Sequence, residues 1–365
     1  AGGRGCGAEV NDQKPAPPWA GDESALVLLD WSWWLNKAFR INGLEGMTSS
    51  VVGWLCGLLA WRPAHLAIAL DCNGPTHRHR MQHPTDEAWI YKGGRDPKPS
   101  DFYTLADKLT EIAELHAIPI LWAQEREADD VIATLTGRAR AAGYRVWICS
   151  HDKDLCSLAE STEKEGIVVG TWDNFEGTFR GPEEVRTQFG VEPAQIPDLL
   201  AIWGDTGDKV PGVPLLGREK AATILGAWPT LEDALAAPPW PAEQYTITEG
   251  HTRALAKRLK ITADPAKRAE IEAERARIMG IRTLAKAHAK LHEHAEIARF
   301  SRQLTALDCD VACSIPWEEL PVGGFHVDDL RARYNDLGFT RRAAEVPAWK
   351  KRAPWVLPYE SQEVA

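Results

Sequence analysis

IPILWAQEREADDVIATLTGRARAAGYRVWICSHDKD, which runs from Ile118 to Asp154, decides how this chain folds. It opens on a short apolar run, Ile118–Trp122, and closes on a second, Arg145–Ser150. Between them, Asp130 to Ala142 repeats its apolar residues at a helical interval. Strand, helix, strand is the unit that builds a parallel sheet. The same alternation extends outward. Ala25–Asp30 (ALVLLD), Leu66–Asp71 (LAIALD) and Gly166–Gly170 (GIVVG) read as further strands, and Phe102 to His116 as a further helix. Near-continuous apolar strands predict an α/β fold, with a mainly parallel sheet covered by helices on both faces.

The residues at and just past the strand ends carry the chemistry. ALVLL ends in Asp30 and LAIAL in Asp71; IPILW leads to Glu127, Asp129 and Asp130, and RVWICS to Asp152 and Asp154. Ligand sites of open parallel sheets form beyond the carboxyl ends of the strands. Carboxylates crowded there repel one another unless cations neutralise them. An oxygen-only donor set suits magnesium or manganese, and no His/Cys set has zinc spacing. For any single Asp, a turn or a helix cap is explanation enough. Four strands in succession favour a cation basin.

Further along, GDTGDKVPGVPLLG (204–217) sets Asp205 and Asp208 before a glycine-rich hairpin that leads into a helix from Arg218. Glycines there let backbone N–H groups approach a phosphate. A helix–hairpin–helix of this kind holds a DNA strand by its backbone without reading sequence. The plain alternative is a turn between helices.

Composition narrows the classes. With 365 residues, 44% apolar and 26% charged, the chain is globular and long enough for two or three domains. The longest nearly apolar run, Val51 to Trp61, is about half the ~20 residues of a membrane span. Seven irregularly spaced cysteines without a C-x-x-C pair predict a reducing, cytoplasmic setting. A net charge of −10 argues against a general nucleic-acid coat. Against that background, His251 to Phe300 holds 12 Lys/Arg and 6 Asp/Glu in an Ala-rich helical pattern. It reads either as a basic face for duplex or as a solvated helix. His77, His79, His292 and His294 lack partner ligands and read as surface residues. Trp33, Trp34, Trp54, Trp122 and Trp147 read as core.

LVLLDWSWWLNKAF, LDCNGPTHR, YKGGRDPKPSDF, EREADDVIATL, CSHDKDL and GDTGDKVPGVPLLG follow one another in the order and approximate spacing of the 5′ nuclease family. The chain resembles that family from about Ala25 to Thr230. The resemblance resumes from about Ile297 to Glu345, where RQLTALDCDV and LRARYNDLGF match its end. It implies a nuclease core over 25–180 with a helical arch at about 73–100. A helix-hairpin-helix subdomain would follow over 181–345, with an insertion at about 238–290. By composition, the Gly/Pro-rich and polar residues 1–24 read as a disordered tail, and 346–365 forms a C-terminal tail. Asp30, Asp71, Glu127, Asp129 and Asp130 would hold one divalent ion, and Asp152, Asp154, Asp205 and Asp208 a second, Mg2+ or Mn2+. Lys92 and Arg95 would share one face of the arch helix and meet the scissile phosphate. Lys37, Tyr91, Gly212, Gly217 and Lys220 would contact DNA, Tyr91 either stacking on a base or packing. A potassium ion at the hairpin is also implied, although Leu215 stands where Gly is common and Glu219 where Lys is common. Trp31 replaces a small residue after the first acid.

The implied activity is two-metal hydrolysis of DNA phosphodiesters at 5′ flaps, overhangs or free 5′ ends, by a monomer in replication or repair, with a DNA polymerase as a further partner. Two alternatives remain: a non-cleaving branched-DNA binder of the same fold, and a magnesium phosphohydrolase acting on small phosphoesters.

Overall fold

The computed structural model of the chain describes residues 16–162, 167–173, 177–239, 242–262, 264–315 and 327–349. They fall into two units. One takes the residues up to Arg80, Arg95–Glu184 and those from Leu307 onward; the other takes Met81–Gly94 and Val185–Ala306.

The first unit is built on one sheet. In chain order its strands are β1 (Ala25–Asp30), β2 (His65–Ala69), β3 (Ile120–Leu121), β4 (Arg145–Cys149), β5 (Glu160–Thr162), β6 (Ile167–Asp173) and β7 (Thr178–Arg180). Their spatial order is β3-β2-β1-β4-β6-β5, with β7 beside β6. β1 lies parallel to β2 and β4, β2 to β3, and β4 to β6. β5 and β7 run antiparallel to β6 and were not anticipated. Register fixes the working edge. Asp30 pairs with Ala69, Leu29 with Cys149 and Ala69 with Leu121, so the chain leaves all four strands at one edge.

The central strand β1 is buried along its whole length. Its alternate residues Ala25, Val27 and Leu29 enter one core; Leu26 and Leu28 enter the other. Burying each such Leu contributes about 1.5–3 kcal/mol. The first face is covered by α1 (Trp31–Ala60), which bends at Gly43 (φ 60°), and by α2 (Ser100–Leu115). The second face is covered by α3 (Ala128–Ala141).

The chain passes into the second unit within α4 (Pro182–Phe189). That unit continues with α5 (Ile196–Trp203), α6 (Arg218–Ala227), α7 (Leu231–Ala236), α8 (Ala242–Ile261), α9 (Pro265–Glu293) and α10 (Ala295–Thr305). Helices α8 and α9, which hold most of the expected insertion, pack through Leu255, Ile271 and Ile278. The chain then returns to the first unit. Val311 joins the α3 core, and α11 (Val327–Asp336) and α12 (Thr340–Trp349) bring Leu330, Tyr334 and Val346 into the α1 core.

Several expectations are corrected. The arch is not helical: residues 77–80 form a short 3-10 turn, and 81–99 contain turns and bends without a helix. Lys92 and Arg95 therefore share no helix face, and Lys92 adopts φ 53° in a turn. The hairpin-containing region does not run to residue 345, because the chain from Leu307 belongs with the sheet. Residues 16–24 are no loose tail, since Trp19 is buried edge-on against Trp172. Residues 1–15 and 350–365 lie outside the described residues. Trp34 and Trp147 are core as expected, but Trp122 is 43% exposed. No helix among the described residues is long and apolar enough to cross a membrane.

Candidate metal centre and nucleic-acid interface

Six of the expected acids hold distinct positions at the carboxyl edge of the sheet. Asp30 ends β1 and caps α1, accepting the Trp33 N–H at 2.9 Å and the Ser150 hydroxyl at 2.8 Å. Burial is the main force raising its pKa to about 7; the negative charges of Asp71 and Asp152 add to it, and the Trp33 and Ser150 hydrogen bonds oppose it. Asp71 follows β2, is exposed, and accepts the Ala128 N–H at 2.8 Å at the start of α3. Asp129, in the first turn of α3, is pushed well above the usual carboxylate range. Burial is the first cause, followed by the charges of Asp152, Asp30, Asp154 and Glu127. Asp152 receives the Asp154 N–H at 3.1 Å, and its own N–H donates to Ser150 Oγ. Lys153 Nζ stands 3.9 Å from Asp154.

These side chains gather charge without closing around a point. Among the described residues, no group of three acids, histidines or cysteines is placed to hold one ion. The donor chemistry nevertheless fits a hard divalent cation: the set is all oxygen, and burial together with neighbouring negative charge favours protons on Asp30 and Asp129 that a cation would displace.

Asp130 stands apart from the other acids. It is fully buried, and Arg78 grips it with Nη1 and Nη2 at 2.8 Å each. Burial alone would raise its pKa, but the Arg78 guanidinium outweighs this and holds the carboxyl below the usual range. Arg78 Nη1 also donates to Glu127 Oε2 at 3.1 Å. Sequence reading passed over Arg78, which sits between His77 and His79 with no local signal of a buried partner. Ser150 orients Asp30, and Ser32 Oγ accepts the Asp71 N–H at 3.1 Å. Lys98 was also missed; its ammonium bonds Asn36 Oδ1 and lies 4.2 Å over the Phe102 ring. Lys37 lies 5.0 Å over the Trp33 ring.

Asp205 and Asp208 belong to the second unit. There α5 and α6 flank the expected hairpin. Asp205 and Val210 pair through both backbone bonds, and Asp205 Oδ1 accepts the Gly207 N–H at 2.9 Å. Gly212 has φ 64°, and a Cβ there would meet Gly204 N at 2.4 Å, so no other residue fits. Leu215 takes φ 67° and is 80% exposed, in the left-handed conformation that a glycine would adopt more easily. Gly217 caps α6, and Lys220 Nζ donates to the Leu215 carbonyl at 2.9 Å. An open concavity here is lined by Gly217, Arg218, Glu219 and Lys220.

The 81–94 segment docks on the same hairpin. Lys92 N–H donates to Asp208 O at 3.0 Å, Trp89 Nε1 to Lys209 O at 2.9 Å, and Tyr91 OH to Asp208 Oδ2 at 3.1 Å. Lys92 Nζ is 3.6 Å from Asp208 Oδ2. Tyr91 is 3% exposed and packs among Val210, Phe300 and Leu304.

Two family descriptions match the chain: 5′-3′ exonuclease, N-terminal resolvase-like domain, over residues 33–190, and 5′-3′ exonuclease, C-terminal SAM fold, over 191–328. A 5′-3′ exonuclease of Aquifex aeolicus is 34% identical over 219 residues, which cover 58% of this chain and 72% of that one. The flap endonuclease Xni of Shewanella piezotolerans is 34% identical over 50% of this chain and 67% of its own. DNA polymerase I of Bacillus caldotenax is 28% identical over 86% of this chain; the match spans 31% of that protein, about a third of its length. Among solved structures, the phage T5 D15 protein co-crystallised with metal ions superposes with a TM-score of 0.56 at 17% identity, over 88% of this chain and 99% of its own, a likeness of fold.

Proposed function

This chain belongs to the 5′-3′ exonuclease family, and from that membership we propose that it hydrolyses DNA phosphodiesters at 5′ ends or 5′ flaps. The observation that carries the reading is the gathering of Asp30, Asp71, Asp129, Asp152 and Asp154 at one sheet edge, where burial, with the charges of Asp71 and Asp152 added, raises Asp30 to about 7.

Those acids, with Glu127, would hold divalent cations, magnesium in the cell. Bound there, such cations supply a water of lowered pKa and neutralise charge on the attacked phosphate. The chain's own part is positional. Ser150 and the Trp33 N–H aim the Asp30 carboxylate, and the Ala128 N–H aims Asp71. Deprotonation of Asp30 and Asp129 readies them for a cation. No side-chain nucleophile is required. Lys92 and Arg95 supply positive charge to the substrate phosphate, and the backbone N–H groups of the Gly212–Gly217 hairpin, with Lys37 and Lys220, hold DNA by its backbone. We read Lys220 as supplying the cation at the Leu215 carbonyl, so duplex binding should not change when potassium is replaced by sodium. A DNA polymerase is the partner this reading assigns, since 5′ flaps are made by strand displacement.

A gel assay of a 5′-labelled flap tests the proposal. Magnesium should support cleavage, and a chelator, Asp152→Ala or Lys92→Ala should abolish it while duplex binding persists. Turnover of a chromogenic phosphomonoester without DNA cleavage would overturn it.

A further inference from the structure

Glu127 and Asp130 stand three residues apart at the start of α3, and one buried arginine touches both. Arg78 is 2% exposed, Asp130 is fully enclosed and Glu127 is 6% exposed. A guanidinium so placed needs carboxylate partners, because an unpaired buried charge is strongly destabilising. The pairing is unequal. Asp130 Oδ1 accepts Arg78 Nη2 at 2.8 Å and the Asp308 N–H at 2.9 Å; Oδ2 accepts Arg78 Nη1 at 2.8 Å and the Glu127 N–H at 3.4 Å. A carboxylate offers about four lone-pair directions, so this one is saturated. Glu127 meets Arg78 through Oε2 at 3.1 Å, and its charge also acts on Asp129, which places it at the rim of the basin.

The anchor is itself braced. The return segment at 307–311 gives Asp130 its N–H bond. The Asp308 carboxylate takes Arg126 Nε at 3.2 Å, and Thr134 Oγ1 accepts the Val311 N–H at 3.1 Å. The chain of contacts therefore runs from the return segment through Asp130 and Arg78 to Glu127.

We infer that Arg78 is a positioning residue and Asp130 its anchor: Asp130 fixes the guanidinium, the guanidinium holds the Glu127 carboxylate at the acidic basin, and Asp130 is not itself a cation ligand. The inference rests on the proposed metal-dependent nuclease reading and narrows it by removing one of two adjacent acids from the ligand set. A partner that orients a ligand in this way typically changes metal affinity by about 10–100-fold when lost. Lysine at position 78 keeps the charge but gives up the planar two-pronged grip.

The test is calorimetric titration of Mn2+ into the DNA-free full chain, with thermal unfolding in chelator recorded for every variant. Asp129→Asn should abolish the titration. Arg78→Lys should weaken Mn2+ binding about 10-fold or more while a single cooperative unfolding transition remains. Asp130→Asn on its own leaves the guanidinium short of an acid and endangers folding, so the deciding variant is Arg78→Gln with Asp130→Asn, a hydrogen-bonding pair without charge. That double variant should still bind Mn2+, within about 100-fold of the native chain. Loss of binding as complete as in Asp129→Asn, in a folded double variant, would make Asp130 a ligand and overturn the inference. So would native affinity in Arg78→Lys. Native affinity in Asp129→Asn would instead remove the metal reading itself, whatever Arg78 does.

Discussion

Asp129 and Asp130 are neighbours in sequence, in the same helical turn, and have opposite electrostatic fates. Asp129 faces other acids, and burial together with their charges drives its pKa far up. Asp130 points the other way into an arginine, and its pKa falls although it is fully buried. Successive helical residues project about 100° apart, so adjacent acids need not share a site. The lesson is that an acidic motif reports where charge is delivered; the partners decide whether that charge is left for a ligand. A carboxylate with every lone pair taken is structure, and one that burial and neighbouring acids together keep protonated is a place for a cation.

The contrast breaks most sharply at Asp129. Asp129→Asn should lower flap cleavage by about 10³-fold, equivalent to several kcal/mol of lost charge stabilisation. The same change should leave the metal-free protein as stable as before, or more so, because it deletes a repelled acid; differential scanning calorimetry in chelator reads this. A large fall in the metal-free Tm would place Asp129 with Asp130.

Acidity gives the next effect. Asp30 is raised from 3.8 to about 7, so its contribution to stability is present in full below about 3.8 and is lost as pH rises through about 7. The amount is of order a few kcal/mol at ~1.4 kcal/mol per unit. A divalent cation binds the ionised form, so magnesium should raise Tm more at pH 8 than at pH 5. A shift independent of pH would contradict the basin.

Smaller is Ser150→Ala. It removes the hydroxyl that aims Asp30 and should weaken Mn2+ binding about 10-fold with little loss of fold. Smallest is Thr134→Val on the Asp130 side. It frees the Val311 N–H and should cost about 1 kcal/mol in urea unfolding, with Mg2+-dependent cleavage changed by less than about tenfold.

Much of this was legible beforehand. The strands at Ala25, Arg145 and Gly166 were placed to within a residue or two at their starts, because near-continuous apolar runs between helical patterns leave few alternatives. The helix–hairpin–helix was legible because Gly212 permits a backbone that no other residue does. The antiparallel β5 and β7 were missed because short edge strands carry little apolar signal. The arch failed for a related reason. Residues 81–94 are fixed by contacts with the distant hairpin, Trp89 to Lys209 and Tyr91 to Asp208, and those contacts override local helical spacing. Tyr91, read as either a stacking platform or packing, is held in the core by Phe300 and Leu304, more than two hundred residues away.

By itself the sequence determined the sheet, the delivery of acids to one edge and the glycine hairpin, since each comes from the local alternation of apolar, acidic and glycine residues. Only the tertiary structure decided which acid is neutralised by an arginine and which are left to repel one another. Arg78 reaches Asp130 across 52 positions of chain, and Coulomb forces depend on distance in space, which no local pattern encodes.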